Sequence, residues 1–262
     1  MTRSDDPQRR NGIRLVTPWS VRILSLVIVA GAWEYAGRTW GGILFPPLSE
    51  VLAALGRLII DPEVLGALGD SFSAFAVGLL TAVLIGLPLG SLMGRVDLLG
   101  RVGVQYTAFF LAVPMSTLVP VVVVAAGVGL SARATVVFLF AVFEIIWNTY
   151  LGVRHADPAT IEMATSYGAQ RWRLFRRVLI PAAMPAILAG LRLGTGRAFI
   201  GMISAELLLA SVGLGLLMKR FQSRFQSPEL FAIVLLMLLI AAVVIGVMQF
   251  GERRLLRRFA PS

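Results

Sequence analysis

Six apolar runs, near residues 21–37, 71–93, 102–126, 134–153, 185–209 and 230–250, recur along this 262-residue chain. Each has about the length at which a helix crosses a hydrocarbon layer of roughly 30 Å, for which about 17 to 25 residues are needed. Composition agrees: 57% of the residues are hydrophobic and 15% charged, against about 45–50% apolar in ordinary soluble domains. The mean hydropathy is +0.83, and the fold class expected is an all-α membrane protein of about six transmembrane helices. The 24 basic residues outnumber the 14 acidic ones, a formal charge of +10. In a membrane chain that excess is an orientation signal before it is a nucleic-acid footprint, so no nucleic-acid partner is expected. The absence of cysteine and the single histidine, His155, leave no metal site and no thiol chemistry to expect.

The first run follows Arg9, Arg10 and Arg14 and contains the small-residue stretch VAGA at 29–32, so a cleaved signal peptide competes with a retained anchor. The long segment before the run, with Trp33 and Tyr35 at its far end, favours a retained helix. Placing the N-terminus in the cytoplasm gives that side Arg3, Arg9, Arg10, Arg14, Arg22, Arg95, Arg101, Arg154, Arg171, Arg173, Arg176, Arg177, Arg253, Arg254, Arg257 and Arg258. The other side receives Arg38, Arg57, Arg133, Lys219, Arg220 and Arg224, with Arg192 and Arg197 inside the fifth run. Sixteen against six is a positive-inside bias that puts both termini in the cytoplasm. The expected organisation is a cytoplasmic tail (1–20), a first span (21–40), an external amphipathic segment (41–70), a core (71–250) and a second cytoplasmic tail (251–262). In the external segment Ser49 and Glu50 open a helix after two prolines, with Val51, Leu52, Leu55, Leu58 and Ile59 on one face. A second external segment, 211–229, ends in the basic stretch KRFQSRFQSPE.

Between the fourth and fifth runs lies a polar insert, 154–182, with Arg154, Arg171, Arg173, Arg176 and Arg177. Asp157 suits an N-cap and Pro158 a first helical residue, so a short helix is expected to run to Tyr167 and end at Gly168. A second, basic amphipathic helix with Trp172, Phe175, Val178 and Leu179 on one side follows, and Pro181 and Pro185 mark a bend into the fifth span. Two short helices around a glycine make a docking surface rather than a span.

The spacing Glu162, Met163, Ala164, Gly168, Val178, Ile180, Pro181 resembles the cytoplasmic EAA loop of inner-membrane permease subunits of bacterial ATP-binding-cassette importers. That pattern runs E-A-A, three residues, G, nine residues, I-x-L-P; Met163, Val178 and Ile180 depart from it, apolar for apolar. The stretches LFPPLSEVLAAL, AVPMSTLVPVVVVAAGVGL, NTYLGVRHADPATIEMATSYGA, VLIPAAMPAILAGLRLG and AELLLASVGLGLLM together resemble the nitrate/sulfonate/taurine branch over 45–218. Where that branch usually carries a proline in its fourth span, this chain has Glu144.

The resemblance implies a MetI-like type I importer fold in a bacterial inner membrane. It implies that Asp157, Pro158, Ile161, Glu162, Met163, Ala164, Tyr167, Gly168 and Pro181 serve the coupling loop. The implied partners are a cytoplasmic ATPase dimer, a second permease copy, an extracytoplasmic solute-binding protein and membrane lipid. It also implies that this chain binds no cofactor, that ATP and Mg are used by the partner ATPase, and that the solute is small and anionic or polar. The glycine stretches GVGL (127–130) and GLG (213–215) are external turns and not phosphate loops, since no strand precedes them and no Lys-Ser/Thr follows.

Independently of any family, Glu144, Arg192, Arg197 and Glu206 lie within the fourth and fifth runs, where a lipid-facing charge would cost about 2.5–3.5 kcal/mol at the bilayer centre. Arg192 and Glu206, nearer the ends, suit structural pairing or snorkelling. Glu144 and Arg197, at similar depth, suit a pathway and are expected to pair; Asn148, one turn from Glu144, can share its face. Glu206, Met115 and Ser116 complete the pathway candidates. Pro88, Pro114 and Pro120 interrupt runs, as kinks or where the freed carbonyls line a cavity. A self-contained secondary transporter or channel would instead call for two related halves, and a membrane enzyme for a catalytic cluster; the sequence carries neither. The expected mechanism is alternating access at the interface of two permeases.

The orientation is directly testable in this cysteine-free chain. A cysteine at Ser166 is expected to react with a membrane-impermeant thiol reagent only after the cytoplasmic face is opened, and one at Ser223 from outside in cells with a permeable outer barrier. The reverse pattern would overturn the orientation.

Overall fold

The computed structural model describes residues 18–40, 44–155, 158–167, 170–209 and 212–259. Among the described residues every regular element is helical: α1 (Pro18–Thr39), α2 (Leu48–Leu58), α3 (Pro62–Arg95), α4 (Asp97–Ala112), α5 (Val119–Ala126), α6 (Leu130–Arg154), α7 (Pro158–Ser166), α8 (Arg171–Leu174), α9 (Ile180–Leu209), α10 (Leu214–Ser223) and α11 (Ser227–Phe259). The helices α3, α6 and α11, and the continuous stretch Trp172–Leu209, are long and apolar enough to cross a bilayer. Helix α4 and the helical segment Met115–Ala126 are together long and apolar enough as well, but are bent by 89°, the geometry of a broken span or a re-entrant loop. With 22 residues, α1 has the length of a span, about 33 Å at 1.5 Å per residue, but Arg22, Glu34 and Arg38 make it less apolar than the others.

The bend in the third run has a local cause. Pro114 follows Val113, which is held extended at ψ 132°, and a short 3-10 turn, Met115–Leu118, restarts the helix as α5. A residue before proline is pushed away from helical geometry, so α4 stops at Ala112. Pro88 thus lies inside a continuous α3, whereas Pro114 ends α4 outright.

The segment 41–70, expected to be one external amphipathic unit, holds α2 and the first turns of α3. Asp61 caps a new helix by accepting the Glu63 N–H at 2.8 Å, with Pro62 in the first position, so the third helix begins well before residue 71. Helix α2 buries Val51, Ala54, Leu55 and Leu58, the i, i+3, i+4, i+7 set of one helical face. Leu52 and Ile59, expected on that face, are about half exposed because they are rotated one position off it. Its start is tied to α1: Glu34 accepts the Ser49 N–H and the Ser49 hydroxyl, each at 2.9 Å. Trp33, Phe45 and Phe231 pack edge and face around the same corner.

The expected bend at Pro181 and Pro185 is also corrected. Helix α8, a π-turn over Phe175–Leu179 and α9 follow without a break. Pro181 has no N–H and would crowd the carbonyl four residues back in a regular helix; the wider turn lies immediately upstream, where the Ile180 N–H bonds to the Phe175 carbonyl. The basic segment is therefore the beginning of the long fifth helix and not a separate one. The sixth begins at Ser227 and α10 occupies the segment before it.

Helix α6 is the centre of the bundle, with α3 against one side and α9 against another. A stripe of small residues permits this. On α3, a Cβ at Gly78 would lie 2.5 Å from the Ala134 carbonyl oxygen, and one at Gly90 2.6 Å from that of Ile146. On α9, a Cβ at Gly194 would meet Ile145 at 2.7 Å and one at Gly190 would meet Asn148 at 2.6 Å. Between lipid-embedded helices there is little hydrophobic drive, so close backbone approach supplies the attraction.

Replacing Gly90 by Val is expected to lower stability by about 1–3 kcal/mol or more, the usual range for overpacking. Gly66→Ala, where no atom lies within 4 Å, is expected to be tolerated or to stabilise by up to about 1 kcal/mol, the helix preference of alanine over glycine. Thermal unfolding of the detergent-solubilised chain reads both.

Candidate functional site

The small-residue seam between α6 and α9 brings two ionisable side chains into register. Arg197 Nε on α9 donates to Glu144 Oε1 on α6 at 3.1 Å. The two side chains are 52% and 14% exposed, respectively. Among the described residues they are the only charged ones lining a cleft of about 350 Å³ whose other walls include Phe110, Met115, Ser116, Phe143, Ile200 and Ser204. The Pro114 break places Met115 and Ser116 there, and the rings of Phe110 and Phe143 stack at 4.5 Å and 14°.

The remaining pathway candidates go elsewhere. Asn148 donates its amide to the backbone carbonyl of Glu144 at 2.9 Å, lies against Gly190 and does not line the cleft. Glu206 is 1% exposed and does not line the cleft. Its Oε2 accepts the Gly215 N–H at 3.0 Å, and its Oε1 is 3.9 Å from Arg133 Nη1. That nitrogen donates to the Asp70 carbonyl at 3.1 Å. Close by, Ser71 Oγ accepts the Leu214 N–H at 3.1 Å. Arg133, counted in the sequence as an external loop charge, is thus buried in α6, and Gly215, read as part of a turn, is a helical residue held by Glu206. Gly213 is the true turn, at φ +84°. This node locks the start of α10 onto α3, α6 and α9; a structural role follows, since neither charge meets the cleft. Arg192 pairs with Glu252 at 3.1 Å, as suits a charge near the end of a span.

At the far end of α6, α7 carries exposed Glu162 and Met163, with Ala164 half-buried, and exposed Tyr167 follows it. Pro158 and Ile161 belong to this helix; Asp157 and Gly168 lie outside the described residues. Pro181 is the second residue of α9. Arg154 is ion-paired with Asp97, and the Arg95 guanidinium lies 5.1 Å from the ring centroid of Phe175, joining α3, α4 and α6 to the base of the fifth helix.

A bundle of helices long and apolar enough to span a bilayer, with a broken helix and an ion pair lining a cleft, has the architecture of a multi-pass membrane protein. The chain belongs to the family described as the binding-protein-dependent transport system inner membrane component, whose model matches residues 82–260. It is 28% identical to a probable ABC transporter permease protein of Brucella melitensis over 92% of this chain and 97% of that one. It is 27% identical to the taurine transport system permease protein of Escherichia coli (strain K12), over 84% of this chain and 80% of that one. The fold is that of the inward-facing MetNI methionine ABC transporter, with a TM-score of 0.59 at 19% identity over 80% of this chain and 98% of that chain. The chain is therefore an ATP-binding-cassette importer permease, and permeases of this family carry no ATPase site of their own.

The two internal ion pairs should differ in kind. Arg133→Met leaves Glu206 buried without a counter-charge and is expected to cost about 3–5 kcal/mol. Arg197→Met, at a half-exposed pair, is expected to shift stability far less. Thermal unfolding in detergent separates them, and Arg133→Met combined with Glu206→Gln should recover part of the loss.

Proposed function

We propose that the cleft holding Glu144, Arg197, Met115 and Ser116 is the part of the translocation pathway contributed by this chain. Two identical copies enclose the pathway between them. A cytoplasmic ATPase dimer docks on α7 and the residue after it, through Glu162, Met163, Ala164 and Tyr167, with Asp157, Pro158, Ile161, Gly168 and Pro181 belonging to the same coupling loop in the sequence. ATP and Mg are consumed there and not on this chain. A solute-binding protein delivers a small anionic or polar solute at the opposite end, and both termini face the cytoplasm of a bacterial cell with this chain in its inner membrane. Closure of the ATPases draws the two α7 helices together and, through the unbroken helical run from Arg171 to Leu209, moves the cleft-lining face of α9. Hydrolysis resets it.

The observation that carries this reading is the Glu144–Arg197 pair at the cleft. A charge facing lipid near mid-membrane is expensive, and a pair that served only to hold helices would be better buried, as Arg133 and Glu206 are. The break at Pro114 supports the same reading, since non-helical backbone at membrane depth is tolerated where it lines a cavity.

Solute uptake by the complete importer in proteoliposomes tests the proposal. Glu144→Gln is expected to reduce uptake by tenfold or more, while the exchange Glu144→Arg with Arg197→Glu restores part of it. Glu162→Lys should weaken co-purification of the ATPase without affecting insertion. Normal uptake in Glu144→Gln would overturn the pathway assignment.

A further inference from the structure

Two cavities open along the seam between α9 and α11. The larger, about 510 Å³, has walls that include Leu193, Gly196 and Ile200 on α9 and Leu238, Ala241 and Ile245 on α11. The smaller, about 200 Å³, is lined by Arg192 on α9 and by Gln249, Glu252, Arg253 and Leu256 on α11. On α11 the lining positions 238, 241, 245, 249, 252 and 256 recur every three or four residues and so share one helical face; on α9 Arg192 adjoins Leu193. The two cavities are therefore successive parts of one groove, apolar along the span and polar at the end where Arg192 and Glu252 pair. We infer that this groove binds an anionic diacyl phospholipid, with an acyl chain along its apolar part and the phosphate at Arg192 and Arg253. This occupancy does not depend on the pathway reading; the orientation proposed above puts the lipid in the cytoplasmic leaflet.

Dimensions and chemistry both select this occupant. From Val234, which also lines the larger cavity, to Ile245 is eleven residues, about 16 Å of helix, close to the roughly 15 Å of one leaflet of a 30 Å hydrocarbon core. Leu193, Ile200 and Leu238 are about half exposed or more, so the wall is apolar surface open to the side. A Cβ at Gly196 would meet nothing within 4 Å, whereas those at Gly190 and Gly194 would strike α6, so the face of α9 turned to the groove is the open one. Glu144 and Arg197 also lie on the wall, but they satisfy each other at 3.1 Å, and an acyl chain beside them leaves neither unpaired. At the polar end the lining supplies two guanidiniums and one carboxylate, and an anionic headgroup neutralises the excess. Arg192 engages Glu252 at 3.1 Å, while among the described residues Arg253 enters no ion pair. A guanidinium holds a phosphate by charge-assisted hydrogen bonds, and the Gln249 amide adds a donor. The ammonium of a zwitterionic lipid would find the Glu252 carboxylate already taken. Basic pockets between spanning helices at the cytoplasmic side have the chemistry that holds anionic headgroups.

The test titrates the detergent-purified permease–ATPase complex with palmitoyl-oleoyl phosphatidylglycerol while native mass spectrometry counts the lipids retained. At least one per permease copy is expected to bind at a concentration tenfold or more below that needed for phosphatidylethanolamine with the same acyl chains. Arg253→Gln should weaken retention about tenfold by removing a phosphate partner. Gly196→Leu, whose Cβ meets no neighbour within 4 Å, should fill the groove and abolish the preference with thermal unfolding of the complex unchanged; Leu238→Trp fills it from the opposite wall and should do the same. Equal retention of the two lipids, or full retention of phosphatidylglycerol in both groove-filling variants, would overturn the assignment. Competition by glycerol 3-phosphate at the concentrations at which phosphatidylglycerol binds would reduce the site to a phosphate pocket and overturn the lipid. A Leu238→Cys thiol, alone in this cysteine-free chain, that joins to the second copy through a short bismaleimide would place that copy in the groove, with the same consequence.

Discussion

The close approach of α3 and α9 to α6 is the constraint on which the rest of the molecule depends. Carbonyl oxygens of α6 lie where a Cβ on Gly78 or Gly90 would have to be. Helices surrounded by lipid gain little from burying apolar area, so backbone proximity and dispersion hold them together. Once α6 is clamped on both sides, the positions of its polar residues are fixed relative to α3 and α9. The Glu144–Arg197 pair is a consequence: Gly190 and Gly194 set the separation of the two helices, and the two side chains then reach each other across the seam.

The internal charges divide by environment and not by residue type. Arg133 and Glu206 are sealed among α3, α6 and α9, and Glu206 spends its second oxygen on the Gly215 N–H at the start of α10. Such a pair contributes fixed geometry more than net stability, because desolvation offsets its attraction. Arg192 and Glu252 meet nearer the end of the bundle. Among the described residues, Glu144 and Arg197 are the pair that lines the cleft beside the broken helix.

Proline placement explains where the bundle bends and where it does not. Pro88 sits within a continuous α3, and Pro181 within the first turn of a helix whose preceding turn is widened. Pro114 acts differently because the residue before it is extended and the chain restarts through a 3-10 turn. The bend converts what reads as one apolar run into two short helices, and the exposed turn between them becomes part of the cleft wall.

Much of this was legible in the sequence because hydropathy and local stereochemistry act over short distances. The apolar runs specified an all-α membrane bundle, and the spacing from Glu162 to Pro181 resembled a known docking loop. The expense of charge in lipid singled out Glu144 and Arg197 as partners before any contact was visible. What the sequence misjudged depended on neighbours remote along the chain. Arg133 looked like a loop charge, and only the packing of α3 and α9 over it shows why it is buried. Asn148 stood one turn from Glu144, yet its amide is taken by the Glu144 backbone carbonyl and it does not line the cleft. Leu52 and Ile59 were one position off the buried face of α2, which the contact with α11 selected. Local pattern fixes which segments are helices and which groups need partners; which partner each group finds is a property of the packed bundle, because it depends on interhelical distances that small residues scattered over three helices set together.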